Sequence, residues 1–129
     1  MAAETKATVR VIAADELSDA GQTPGMVRRQ AFSDEGVWVG TARTEPGAIS
    51  GWHHHGDNTT YIYCAAGALR IESGALGSDV VEAKAGEFMC IPANTVHRES
   101  NPTDDEQLVI LTRVGSGPIL TNVDGPDPA

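Results

Sequence analysis

No apolar run in the 129-residue chain approaches the ~20 residues that a membrane-spanning helix needs. The segment from Met1 to Ala7 lacks the apolar core of a secretion signal, so a soluble, cytoplasmic protein is the expectation. Basic residues are scarce: nine stand against eighteen acidic ones, for a formal net charge of −9. That balance repels phosphate backbones and anionic lipid headgroups, which excludes nucleic acid and membrane surfaces as expected partners. Aromatic side chains make up only 5% of the chain, whereas Val, Ile, Leu, Ala and Gly are plentiful, as a self-sufficient globular core requires. Cysteine is limited to Cys64 and Cys90. Each falls in an extended run between apolar neighbours, where a buried thiol is expected. Spacing alone leaves open that they line the interior beside a metal or join in a disulfide. Neither an amphipathic helix nor a repeat of solenoid length is present, and the length fits one core.

What the chain does contain is β-sequence. Residues 1–35 read as an N-terminal arm or edge strand, extended over 7–12 and then polar through Asp15, Glu16, Ser18, Asp19 and Gly21. Such arms add an edge strand or reach a neighbouring subunit, so a homodimer is expected. Arg28 and Arg29 within it are expected to face solvent or a partner's acidic surface. From Gly36, β-rich runs at 37–44, 49–55, 61–64, 68–73, 80–83, 87–91, 97–100 and 108–114 are punctuated by Gly, Pro and Asn. Eight such runs predict an all-β jelly roll or double-stranded β-helix over 36–114. A tail over 115–129 holds Pro118, Gly125, Pro126 and Pro128, and its last stretch is expected to fray.

Polar residues interrupt these runs where a barrel interior would hold apolar ones. Strand side chains alternate faces, so His53 and His55 share one face as a pincer while His54 points to the other. A second strand–turn–strand segment, through Pro92 and Asn94, delivers His97, and a third imidazole from another strand closes a site for one divalent transition metal. Trp52, Tyr61 and Tyr63 fall on the opposite face, as packing or interface residues. Glu99, two residues after His97, points inward beside the metal as a base or orienting group if the strand stays regular, and toward solvent if a bulge intervenes. Asp57 reads as a turn former that can also reach the metal. Arg43 and Arg113 lie at strand ends, where an arginine either clamps a substrate carboxylate or, more commonly, ion-pairs at the rim.

These positions resemble the two-motif signature of the cupin superfamily. Gly47, His53, His55 and Gly67 fit its first motif, and Gly86, Pro92, His97 and Asn101 its second. Asn94 replaces the second motif's turn glycine, a mild change because Asn tolerates the left-handed conformation. Thr60 replaces the first motif's glutamate, the usual fourth ligand. The resemblance therefore implies metal ligation by His53, His55 and His97, with Thr60 either a plain strand residue or a hydrogen-bond partner of metal-bound water. Three neutral imidazoles leave the ion both its charges and an extra open position, which favours anionic or enolisable ligands. The expectation is a dioxygenase acting on a small molecule, with Fe(II) as the first metal and Zn, Mn, Ni or Cu as alternatives. A non-redox isomerase, lyase or cyclase, with Glu99 moving the proton, and a non-catalytic metabolite-binding module are the competing readings.

Overall fold

The structure, a computed structural model, describes residues 7–129. Residues 1–6, most of the segment read above for its lack of an apolar core, lie outside the described residues. A 3₁₀ turn at Ala14–Glu16 precedes eleven strands: β1 (Ser18–Thr23), β2 (Met26–Asp34), β3 (Val37–Thr44), β4 (His53–His54), β5 (Thr59–Ala66), β6 (Ala68–Ser73), β7 (Asp79–Lys84), β8 (Phe88–Ile91), β9 (His97–Ser100), β10 (Gln107–Val114) and β11 (Thr121–Asn122). They form two sheets, a six-stranded one in the order β1-β2-β3-β10-β5-β8 and a five-stranded one in the order β11-β4-β9-β6-β7. Every strand pair is antiparallel. This is the double-stranded β-helix that the strand spacing predicts.

Apolar alternation places the core. Ile62 and Cys64 on β5, Leu69 and Ile71 on β6, Ala83 on β7, Ile91 on β8, and Val109 and Leu111 on β10 turn inward and pack together. Each fully buried Leu or Ile contributes roughly 1.5–3 kcal/mol. The same alternation carried further along β10 and β5 brings Arg113 and Thr60 inward, both buried. The middle of the barrel is therefore apolar; Gln107 and Thr44 are buried toward one end, and the more polar end holds the histidines.

Three expectations are corrected. Cys90 is exposed, because on β8 it is Ile91 that turns inward; Cys64 is fully buried, and both are free thiols. Arg28 does not face solvent: β2 pairs along β3, and its side chain lies between the sheets, where it meets Glu99. The tail, expected to fray at its end, is placed against the barrel: β11 pairs with β4, and the Asp127 carbonyl accepts a hydrogen bond from the Leu76 amide at 2.8 Å. Along 49–55 only His53–His54 forms a strand, because Gly47, Gly51 and Gly56 interrupt the ladder and Ile49 makes an isolated bridge to Ser100.

On the outer face of the six-stranded sheet the register aligns Thr41, Ile110, Tyr63 and Phe88 in one row and Val39, Thr112, Tyr61 and Cys90 in the next. Across β3, β10, β5 and β8 neither row carries a charge, while the first continues into Arg29 and Asp19 on β2 and β1. Tyr63 packs on Phe88 with ring centroids 4.8 Å apart, and Tyr61, Phe88 and Ile110 are exposed. Among the described residues no helix is long and apolar enough to cross a membrane.

Candidate metal centre

His53 and His97 are direct cross-strand partners between β4 and β9, and His55 follows His53 on the same inward face. All three are buried. The ring centroids of His53 and His97 lie 4.4 Å apart, and that of His55 lies 5.1 and 5.0 Å from them. One nitrogen from each ring falls within 4.8 Å of the others. His54 points to the other face, where its Nδ1 accepts the Gly56 amide.

Hydrogen bonding fixes which nitrogens are free. The Nδ1 atoms of His53, His55 and His97 lie 2.9, 2.7 and 2.9 Å from the carbonyl oxygens of Gly51, Ile119 and Thr95. A carbonyl only accepts, so each Nδ1 carries a proton, which leaves the Nε2 atoms as the positions for a ligand. The Nε2 of His97 is buried with no hydrogen-bond partner, a costly arrangement for an acceptor unless an ion completes it. Burial, reinforced by Arg113, holds the His55 imidazole down at about 3. Burial and the neighbouring His53 likewise lower His97. Three clustered imidazoles with carbonyl-anchored Nδ1 atoms are what a divalent transition metal requires, and the three histidines fit one.

Glu99 faces inward, with its Oε1 3.9 Å from the His53 Nε2. It accepts a hydrogen bond from the Arg28 guanidinium at 3.2 Å. Burial alone would raise its carboxyl, but Arg28 and the imidazoles outweigh burial and hold it at about 2. Thr60 is buried on the inner face with an unpartnered Oγ1, and its cross-strand partner is Arg113. Arg113 is not ion-paired at the rim, as its strand-end position suggested; it is 6% exposed and stacks over the Trp38 ring at 4.8 Å. Gly40 makes room for that ring, since a Cβ there would lie 2.4 Å from it, and the Trp38 indole donates to Gln30 at 2.9 Å. Arg43 does sit at the rim, paired with Glu106 at 2.9 Å.

A narrow cavity of about 30 Å³ lies between Arg28, Trp38, His55 and Arg113, bordered by Ile119 and Leu120. The tail that supplies this border is tied to the histidine loop by Asn58, whose buried amide reaches the carbonyls of His55, Ser116 and Pro118 at 3.0–3.2 Å. Gly115 permits the approach: with φ +152°, it would carry a Cβ 2.4 Å from the Asp57 carbonyl oxygen. Asp57 is exposed and accepts from Asn94 at 3.1 Å, away from the imidazoles. Asn94 itself adopts φ 58°, the left-handed turn conformation.

Sequence reasoning missed Arg28, Trp38, Asn58 and the Ile119 carbonyl. Trp38 was readable by alternation with Ala42 along β3, whereas Arg28 was hidden in a polar run and a backbone carbonyl leaves no sequence signal.

The fold and its histidine cluster define a small double-stranded β-helix with a candidate metal centre. The cupin domain family matches residues 40–113, more than half of the sequence, and the chain belongs to that family. No curated protein matches the sequence. A double-stranded β-helix protein from Klebsiella pneumoniae superposes with a TM-score of 0.73 at 15% identity, covering 91% of this chain and 99% of its own. KdgF from a Halomonas species gives 0.68 at 18% identity, covering 84% of this chain and 96% of its own. A variant of oxalate decarboxylase from Bacillus subtilis gives 0.68 at 18% identity, covering 82% of this chain and 30% of its own. At these identities the likeness is one of fold.

Proposed function

We propose that this protein is a metal-dependent enzyme that converts a small organic molecule at the polar end of the barrel, with dioxygenase chemistry as the first reading. The observation that carries it is the cluster of three buried imidazoles, each with its Nδ1–H on a backbone carbonyl, and the unpartnered Nε2 of His97. His53, His55 and His97 would hold the ion, and no carboxylate occupies the position of Thr60. Such an ion supplies Lewis acidity and, if it is Fe(II), redox chemistry with dioxygen. The chain's own residues do the rest. Trp38 and the buried strands exclude water, Arg113 and Arg28 make the lining cationic, and Thr60 offers a hydroxyl donor to a bound ligand.

A second, non-redox reading draws support from Glu99, whose carboxylate lies beside the His53 Nε2 and is tethered by Arg28. There it would accept and return a proton in isomerase, lyase or cyclase chemistry. Oxalate decarboxylase from Bacillus subtilis, a structural neighbour, has Mn(II) centres, which keeps manganese among the candidate metals.

An oxygen electrode distinguishes the two. Protein reconstituted with Fe(II) is expected to consume oxygen with a member of a panel of small diketones, thiols, hydroxyketones and hydroxy acids, and to stop doing so as His97→Ala. A metal-loaded protein that consumes no oxygen with any of them contradicts the dioxygenase reading for those classes. Oxygen-independent turnover, lost in Glu99→Gln with the metal retained, supports the second. Tight metabolite binding without turnover would instead mark a binding module.

A further inference from the structure

We propose that Arg113 is the recognition group for a small carboxylate that enters the barrel beside His55. This rests on reading the cluster as a centre that handles a small molecule, and it names the chemical class of that molecule.

The argument begins with an imbalance. Acidic residues outnumber basic ones two to one, and Arg10, Arg28, Arg43, Arg70 and Arg98 each meet a carboxylate, on Asp34, Glu99, Glu106, Glu82 and Glu72. Arg113 is more deeply buried than any of these pairs, at 6% exposure. Yet among the described residues its guanidinium meets no carboxylate and makes no hydrogen bond, and its Nε is enclosed without a partner. Burying a cation without an anion is expensive, and a surplus of acids makes the omission harder to ascribe to composition.

The surroundings hold this cation in place, and the nearest opposing charge, Glu99, acts on it from beyond ion-pair distance while paired to Arg28. The Trp38 ring supports one face at 4.8 Å, Gly40 makes room for that ring, and Gln30 fixes the indole. Thr60, directly across the ladder, adds an unpartnered hydroxyl. Arg28 is occupied by Glu99 and Thr23 and so does not compete for a ligand. A planar carboxylate has two acceptor oxygens that match the guanidinium fork. The cavity of about 30 Å³ between Arg113, Trp38 and His55 has room for a group of carboxylate size. Ile119 and Leu120 at its border are partly exposed, so the rest of a short chain can extend past them.

Thermal denaturation of the protein as purified, with metal content measured on the same sample, tests this. Acetate, glycolate and oxalate are compared with chloride and phosphate at matched ionic strength. At least one carboxylate is expected to raise Tm by roughly 5 °C at ten times its Kd. Arg113→Met should weaken that affinity at least tenfold, whereas Arg43→Gln at the rim should leave it unchanged. Without ligand, Arg113→Met should melt at or above the wild-type temperature, because it removes an uncompensated buried charge. A merely structural Arg113 predicts a clear fall instead. Carboxylates no better than chloride, protection by phosphate alone, or protection surviving in Arg113→Met would each overturn the proposal. An Arg113-dependent shift in a metal-free sample upholds it while counting against the metal centre; a metal-replete sample without such a shift overturns it and leaves the centre standing.

Discussion

Thr60 and Arg113 stand side by side across the β5–β10 ladder, and together they set the electrostatics of the site. A glutamate at position 60 would neutralise part of the charge of a bound ion and would also meet the Arg113 guanidinium. A threonine does neither, so the polar end of the barrel keeps both its cation and an unfilled hydrogen bond. Glu99 is the one carboxylate facing the imidazoles among the described residues, and Arg28 holds it at 3.2 Å. Thr60→Glu is therefore expected to raise divalent-metal affinity by about tenfold or more, measured by competition with a chromophoric chelator. The same change should abolish any carboxylate effect that depends on Arg113, because the new side chain takes the guanidinium for itself. Unchanged metal affinity in a folded variant would show that position 60 does not face the ion.

The element that completes the site is the tail. Its strand β11 pairs with β4, so that Asn122 lies opposite His53, and its Ile119 carbonyl fixes the His55 ring. Asn58 joins tail to loop through three carbonyls. Asn58→Ala should cost about 1–3 kcal/mol in denaturant unfolding, since it strands buried acceptors. It should also weaken metal binding roughly 10–100-fold, as loss of an orienting partner does; a loss of stability with metal affinity intact would separate the tail from the centre. None of this coupling was legible beforehand. Strand alternation placed His53 and His55 together, the turn at Pro92 and Asn94 placed His97 opposite them, and the runs at 37–44, 68–73 and 97–100 matched β3, β6 and β9 residue for residue. β2 escaped because its inward positions hold Arg28 and Gln30, which serve the site and make the strand read as a polar arm. β11 is two residues long among prolines and glycines, too short for any periodicity. Arg113 was recognised as a candidate, but whether it pairs at a rim or lies alone in an interior depends on which carboxylates the fold brings near. That is a long-range fact.

At the scale of the whole molecule, an apolar middle separates buried Gln107 and Thr44 at one end of the barrel from the histidine end. Inward residues run from Val109 and Leu111 to Arg113 along β10, and from Cys64 and Ile62 to Thr60 along β5. Apolar burial in the middle holds the sheets together, and the stability this supplies lets the histidine end carry polar groups with unfilled valences. The outside is equally uneven. In a chain with net charge −9, the part of this face over β10, β5 and β8, with Ile110, Phe88, Thr112 and Tyr61, carries no charge in these rows and is suited to pairing with the same face of a second copy. Light scattering is expected to return twice the 13.5 kDa chain mass, and Phe88→Asp to return the single mass; a monomeric wild type would leave that face without the partner assigned to it. The central claim, however, is that His53, His55 and His97 hold one divalent metal through their Nε2 atoms. Elemental analysis of natively expressed protein, dialysed without chelator, tests it most directly. The account predicts close to one transition-metal ion per chain, and next to none in His97→Ala at unchanged fold. A wild-type protein free of stoichiometric metal, which also fails to take up cobalt, manganese, iron or zinc on titration, would contradict it.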